Sequence, residues 1–246
     1  MLITSNPSIV GLDSPSGYVV EDHMDFLRPP YLPHALINGR LSCDLYLQLL
    51  EKSWQAYSKK SGRQYSDHAH FCFHTPVPKL AEKAHKWLAR RNDHRLTLNQ
   101  IIEHTHHCLQ HNRIIGNTYT AALYIALLSL LDNHEEDLAH KRIGFYSYGS
   151  GCMAEFFSGT VVDGYKNALS TKANKNHLTE SLAISPEQYQ NWIAHHAPTE
   201  GELFTPKHHT QSHFRMHKIQ GHIRSYEKQT QNQPHTQQHE KAIHAS

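Results

Sequence analysis

The chain has 246 residues, 38% of them hydrophobic, and a formal net charge of +2. That apolar content is enough for a packed core and sets aside an intrinsically disordered protein. The nearly balanced charge gives no electrostatic case for nucleic acid or a membrane surface as partner.

The four cysteines, Cys43, Cys72, Cys108 and Cys152, are scattered without a CxxC pair, which points to reduced thiols in a cytoplasmic setting. Met1-Leu2-Ile3-Thr4 has neither the basic start nor the long apolar core of a signal peptide. The longest apolar run, Ala121 to Leu131, is shorter than the about 20 residues that span a bilayer and reads as a buried helix.

Met1 to Thr4 reads as the end of a strand, Ser5-Asn6-Pro7 as a turn, and Ser8 to Leu12 as a further short strand. Asp25-Phe26-Leu27-Arg28-Pro29-Pro30 opens an irregular loop that runs to Gly39. Ser42 is placed to N-cap a helix reaching Lys60, with Tyr46, Leu50, Trp54 and Tyr57 on one face and Gly62 just past its end. Phe71-Cys72-Phe73-His74 reads as a buried strand that stops at a histidine. A proline-stiffened turn, Thr75-Pro76-Val77-Pro78, follows, and then a helix to about Arg90. Leu80, Ala84, Trp87 and Leu88 form the core stripe of that helix, and Lys79, Lys83, Lys86 and Arg90 form a second, charged stripe.

A helix over about Leu96 to His111 leads to Gly116-Asn117-Thr118-Tyr119-Thr120. The next helix, Thr118 to Leu131, is apolar on nearly every face and is expected to be covered on all sides. Arg142 to Tyr148 and Cys152 to Val161 read as strands joined by a tight hairpin at Gly149-Ser150-Gly151. Ser185-Pro186-Glu187 starts a last helix, and Phe214 to Tyr226 reads as a closing strand. From residue 229 the Gln/His/Thr-rich tail has almost nothing apolar to bury and is expected to be disordered.

Strands alternating with helices fit a layered α/β sandwich. A histidine at the C-terminal lip of a strand is where such folds place chemistry, although a histidine there also serves as an ordinary helix-capping residue. The 24 histidines cluster at His104, His106, His107 and His111, at His195 and His196, and through the tail. His107 and His111 share a helix face, as do His104 and Cys108, so a metal site is geometrically conceivable. There is no HExxH arrangement and no acidic third ligand at a recognisable spacing, and a solvated histidine-biased surface is the favoured reading.

In their order and spacing, the segments around His74, around Asn117, and over Arg142-Ile143-Gly144-Phe145-Tyr146-Ser147-Tyr148-Gly149-Ser150-Gly151 resemble hydroxymethylglutaryl-CoA synthase. The resemblance runs almost from residue 1 to about residue 228 and covers only the C-terminal part of that enzyme. It implies the C-terminal half of a thiolase-like αβαβα sandwich and an acyltransferase that condenses acetyl-CoA with acetoacetyl-CoA, as in the mevalonate pathway. No cofactor is implied beyond the CoA thioesters used as substrates.

By match of motif, the resemblance makes His74, Asn117 and Ser150 the catalytic candidates. His74 would donate to the acetoacetyl group and polarise its carbonyl, the Asn117 amide would reach the acyl carbonyl, and the backbone N–H at Ser150 would help form an oxyanion hole. Lys79 and Lys83, one turn apart, match lysines that hold CoA, although a charge stripe is equally an ordinary solvated face. Asp25, in Asp-Phe-Leu-Arg-Pro, resembles the family's Asp-Phe-aromatic-basic-Pro segment, with Leu27 where an aromatic is usual.

The family's cysteine nucleophile and glutamate base lie upstream of the point matching Met1, and none of the four cysteines stands in that motif. Cys152 reads as strand packing, and Cys72 as inert packing on the strand face shared with His74. The chain is therefore expected to hold the acceptor half of an active site and to be inactive unless an N-terminal half completes it; that half or a homodimer partner is the expected protein partner. Two other readings stay open: a non-catalytic acyl-CoA-binding remnant, and a histidine-rich metal-binding protein.

Overall fold

The computed structural model describes residues 2–32, 34–180, 183–194, 201–205 and 214–228. The chain divides into two compact units, Met1–Ser181 and Leu182–Ser246. In the first, among the described residues, four strands form one sheet: β1 (Val10–Val20), β4 (His70–Phe73), β5 (Arg142–Gly149) and β6 (Met153–Val161), in the order β1-β6-β5-β4. β4 and β5 run parallel and the other pairs antiparallel. Two-residue strands β2 (Phe26–Leu27) and β3 (Leu36–Ile37) pair within the segment expected to be an irregular loop.

Strand alternation sorts the core into two layers. Phe71, Phe73, Tyr146, Tyr148 and Phe156 pack with α1 (Gly39–Ser61) and α2 (Pro78–Arg91). Cys72, Ile143, Phe145 and Val161 pack with α3 (Leu98–Ile115) and α4 (Ala121–Asn133). The stripe Tyr46, Leu50, Trp54, Tyr57 on α1 is buried as its spacing predicts, and Gly62 ends the helix in the left-handed region at φ 70°. The cap at the other end is Asn38, whose side chain accepts from Leu41 N, so Ser42 lies inside the helix. On α2, Lys79, Lys83, Lys86 and Arg90 are exposed and Leu80, Ala84 and Leu88 buried, while Trp87 lies half-buried under the Arg91 guanidinium.

Three expectations are corrected. Residues 2–9 form no strand, and the strand expected over Ser8 to Leu12 is the longer β1. Helix α4 is not covered on all sides: Tyr124, Ile125, Leu127 and Leu128 are only half-buried, because sheet and α3 enclose one side of it. Its apolar sequence reports what it can bury, not what is present to bury it.

β1 is broken between Leu12 and Ser16, where Pro15 offers no N–H. There Asp13 turns inward, salt-bridged to Arg63 and Arg142 and hydrogen-bonded by Ser158. Burial opposes its ionisation, but the Ser158 and Arg142 hydrogen bonds outweigh it and lower the carboxyl pKa.

The second unit contains α5 (Pro186–Ile193), with Ser185 as cap in a reciprocal pair with Gln188. The single closing strand expected over Phe214 to Tyr226 is a hairpin, β7 (Phe214–Gln220) and β8 (Ile223–Lys228). Gly221 and His222 turn it with φ of 55° and 64°, the sign that two-residue hairpin turns of the favoured type require. The tail from residue 229, His195 and His196 lie outside the described residues.

Candidate functional site

β4 ends at Phe73, and its ladder is extended by one bond, from His74 N–H to Tyr146 O at 2.7 Å. Thr75 is buried and its hydroxyl donates to Phe73 O at 2.8 Å, while Pro78 opens α2. Below the turn, Tyr46 Oη donates to His74 O at 2.7 Å and Tyr146 Oη to Tyr46 O at 2.8 Å. The backbone of His74 is thereby pinned from two sides. Its ring lies 6.3 Å from that of Tyr148, a residue of the α1/α2 layer, so the strand alternation that pairs Cys72 with His74 does not persist past Phe73. Cys72 belongs to the opposite layer, beside Cys108.

Burial pushes the His74 imidazole down to about 4. At neutral pH it is uncharged, with one N–H donor and one lone pair. Such a ring polarises a carbonyl by hydrogen bonding and is a poor source of a full proton.

Asp25 and the hairpin turn form one cluster. Asp25 is 1% exposed. Its Oδ2 accepts from Tyr148 Oη at 3.1 Å and Ser150 Oγ at 3.0 Å. Its Oδ1 accepts from Gly151 N at 3.2 Å and Cys152 Sγ at 3.5 Å. The Ser42 hydroxyl, expected as a helix cap, also favours the ionised form of this carboxylate. Burial opposes ionisation of Asp25, and these donors outweigh it and lower the pKa. Cys152, expected as strand packing, sits before β6 with its thiol on Asp25, and burial pushes that thiol up. Among the described residues, a Cβ placed on Gly149 or Gly151 meets nothing within 4 Å, so these residues leave the outer side of the turn open.

The six candidates do not all meet. Asp25 and Ser150 touch directly, and Tyr148 links them to His74. Asn117 is exposed four residues before α4, and its Oδ1 accepts from Tyr119 N at 2.8 Å. It therefore shapes the turn into α4 and does not cap it; Thr120 holds the cap position. Lys79 and Lys83 project from the exposed face of α2 and form no ion pair among the described residues, whereas Glu82 between them pairs with Arg113. A surface concavity of about 550 Å³ lined by Asn6, Ser8, Asp163 and Asn167 contains none of these residues.

The sequence alone does not mark Tyr46, Tyr148 or Cys152 as site residues. The signal available for Tyr148 was its place beside Gly149 on the Tyr146 face; nothing local marked Cys152.

His104, Cys108 and His111 of α3 are engaged individually. His111 Nε2 meets Asp132 at 3.1 Å, His104 Nδ1 meets His85 Nε2 at 3.1 Å, and Cys108 Sγ donates to Phe71 O at 3.6 Å. Among the described residues, no group of three or more such side chains is arranged to hold a metal ion. Nor is any helix among them long and apolar enough to cross a membrane.

Comparison with known proteins agrees with this picture. The family model for the hydroxymethylglutaryl-coenzyme A synthase C terminal region matches residues 89–215. A hydroxymethylglutaryl-CoA synthase of Enterococcus faecalis is 33% identical over 201 residues, covering 81% of this chain and 52% of that protein. A polyketide-biosynthesis 3-hydroxy-3-methylglutaryl-ACP synthase of Bacillus subtilis is 30% identical, covering 77% of this chain and 46% of its own length. A crystal structure of HMG-CoA synthase complexed with CoA superposes with a TM-score of 0.81 at 32% identity, over 91% of this chain and 57% of that one. This chain thus spans about half the length of the curated relatives it matches. The sheet flanked by helix layers is the thiolase-like fold, and the chain belongs to the hydroxymethylglutaryl-CoA synthase C-terminal family.

Proposed function

We propose that this chain carries the acceptor side of a hydroxymethylglutaryl-CoA synthase-type acyl-transfer site. An acetyl group loaded on a cysteine loses a methyl proton to a glutamate, and the carbanion adds to the ketone of acetoacetyl-CoA. Water then cleaves the enzyme thioester. Here His74 donates to the acetoacetyl carbonyl, the Ser150 amide stabilises a developing oxyanion, and Asn117 orients the acyl end. Lys79 and Lys83 meet CoA phosphates, and the reaction takes the acyl thioesters and water with no further cofactor. Nucleophile and base belong to the N-terminal half of the family's enzyme, with a second copy of the chain as a further partner. The observation that carries this reading is the uncharged His74, its backbone pinned at the lip of β4 beside the open glycine turn.

The family relatives include both a CoA and an ACP enzyme. The exposed lysine pair on α2 supports CoA, since two ammonium groups one turn apart suit a pyrophosphate or 3′-phosphate.

Isothermal titration of acetoacetyl-CoA and CoA into three proteins tests this. A Lys79→Ala/Lys83→Ala variant is expected to weaken both ligands by roughly 5–30-fold, since each exposed lysine contributes on the order of 1 kcal/mol, and to do so less as salt rises. His74→Ala is expected to weaken acetoacetyl-CoA by about tenfold, the worth of one lost hydrogen bond, and to spare CoA. Unchanged affinity in the double-lysine protein makes the stripe a solvated face, and a wild-type chain that binds neither ligand overturns the proposal.

The 246-residue chain alone is expected to show no condensation of acetyl-CoA with acetoacetyl-CoA. Cys72, Cys108 and Cys152 are buried, and the thiols of Cys72 and Cys152 are pushed up, Cys72 by its bond to Cys108 and by burial. Turnover by purified chain free of host synthase contradicts this.

A further inference from the structure

The Asp25 carboxylate is saturated by its own protein. It offers about four lone-pair directions, and it faces the four donors Tyr148 Oη, Ser150 Oγ, Gly151 N and Cys152 Sγ within 3.0–3.5 Å. At 1% exposure it has neither the surface nor the acceptor capacity to bind a ligand. What it does hold is the turn. Three of its donors, at 150, 151 and 152, are successive residues of the loop between β5 and β6. That loop is tied a second time, since Cys152 and Glu21 exchange backbone hydrogen bonds at 2.8 and 2.9 Å. The amides of Gly151 and Cys152 are thus committed inward, and Ser150 keeps the turn's candidate N–H for an acyl oxygen. Tyr148 Oη and Cys152 Sγ also lie 3.4 Å from each other, so the phenol and the thiol brace the carboxylate from one side.

We propose that Asp25, Tyr148 and Cys152 are positioning residues: a buried carboxylate, held by a phenol and a thiol, sets the Gly149–Gly151 turn so that the Ser150 amide faces the acyl thioester beside His74. Asp25 therefore acts through the turn and not on the substrate. The thiol is needed as a hydrogen-bond donor only, so a hydroxyl serves in its place and a methyl does not. This rests on the acyl-thioester reading above for its ligand, but the turn geometry is measured without one.

The test uses the full chain as wild type, Tyr148→Phe, Cys152→Ala and Cys152→Ser. Two readouts are taken: residue-resolved amide exchange across 149–152, and titration with acetoacetyl-CoA and with CoA. Loss of one donor is expected to speed exchange at Gly151 by about tenfold in Tyr148→Phe and Cys152→Ala. Acetoacetyl-CoA affinity should fall by about 3–10-fold in both, with CoA affinity unchanged, and Cys152→Ser should restore both readouts. A merely structural thiol predicts no rescue by serine over alanine and no split between the two ligands. Unchanged Gly151 exchange in both donor-deleted variants, or serine no better than alanine, overturns the proposal. If the exchange pattern holds while the wild type binds no acyl-CoA, the positioning role stands and the acyl-thioester function fails.

Discussion

Gly17→Ala is expected to cost about 3 kcal/mol or more, and on a marginally stable domain to abolish folding at moderate temperature. Gly17 lies in β1 where that strand crosses α1, and a Cβ there would stand 2.2 Å from Ser53 O, 2.2 Å from Tyr57 N and 2.8 Å from the Ala56 carbonyl carbon. All three are helix backbone atoms. A crowded side chain can change rotamer, but backbone inside a helix cannot yield without breaking its own hydrogen bonds. Relief would require β1 to lift off α1, opening the layer that contains Tyr57 and Phe156. Gly39→Ala is the control, since a Cβ there meets nothing within 4 Å, and it should change stability by less than about 1 kcal/mol. Urea unfolding followed by circular dichroism compares the two; a Gly17→Ala midpoint equal to wild type would refute the packing argument.

Acidification is expected to remove roughly 3–5 kcal/mol of stability between about pH 6.5 and pH 4.5. Burial pushes His70 and His74 down to about 4 and His85 down to about 3. The neighbouring imidazoles add to this: the His70 ring is 4.7 Å from His134, His134 is 5.0 Å from His107, and His85 meets His104.

In the unfolded chain these rings protonate near 6.5, so below that pH the unfolded state takes up protons the folded state refuses. Their contribution is fully present above about 6.5, falls as pH drops through the 6.5-to-4 window, and for His85 continues falling toward 3. Asp13 and Asp25, with lowered carboxyl values, add a further loss at the acid end of the range. The summed shifts would give more than the stated figure; the partial exposure of His70 and His74 reduces it. A His70→Gln/His85→Gln variant should lose less stability over the same interval. Urea midpoints at about pH 7.5 and about pH 5 decide, and a stability unchanged between them would show that the imidazoles are solvated in the fold.

Several elements were legible in the sequence because their causes are local. The stripe Tyr46, Leu50, Trp54, Tyr57 needs only helical periodicity, and Ser185-Pro186 needs only cap chemistry. The Gly149-Ser150-Gly151 hairpin likewise follows from turn residues between apolar runs, and His74 at a strand lip from a histidine before two prolines. The hairpin at Gly221-His222 reads as one strand in the sequence because its turn signal is a glycine followed by a histidine, not the commoner Asn-Gly.

Segment motifs in a shared order were also enough to identify the family, and with it the fold. What only the tertiary structure decided are contacts between distant residues. Asp25 and Ser150 are 125 positions apart, and whether that aspartate meets solvent or a closed ring of donors is invisible in any window around either. The same holds for Gly17, whose missing Cβ matters only because α1 lies against it, and for the half-open face of α4. Periodicity and turn chemistry act between neighbours along the chain, whereas burial and hydrogen-bond saturation depend on which distant segments the folded core brings together.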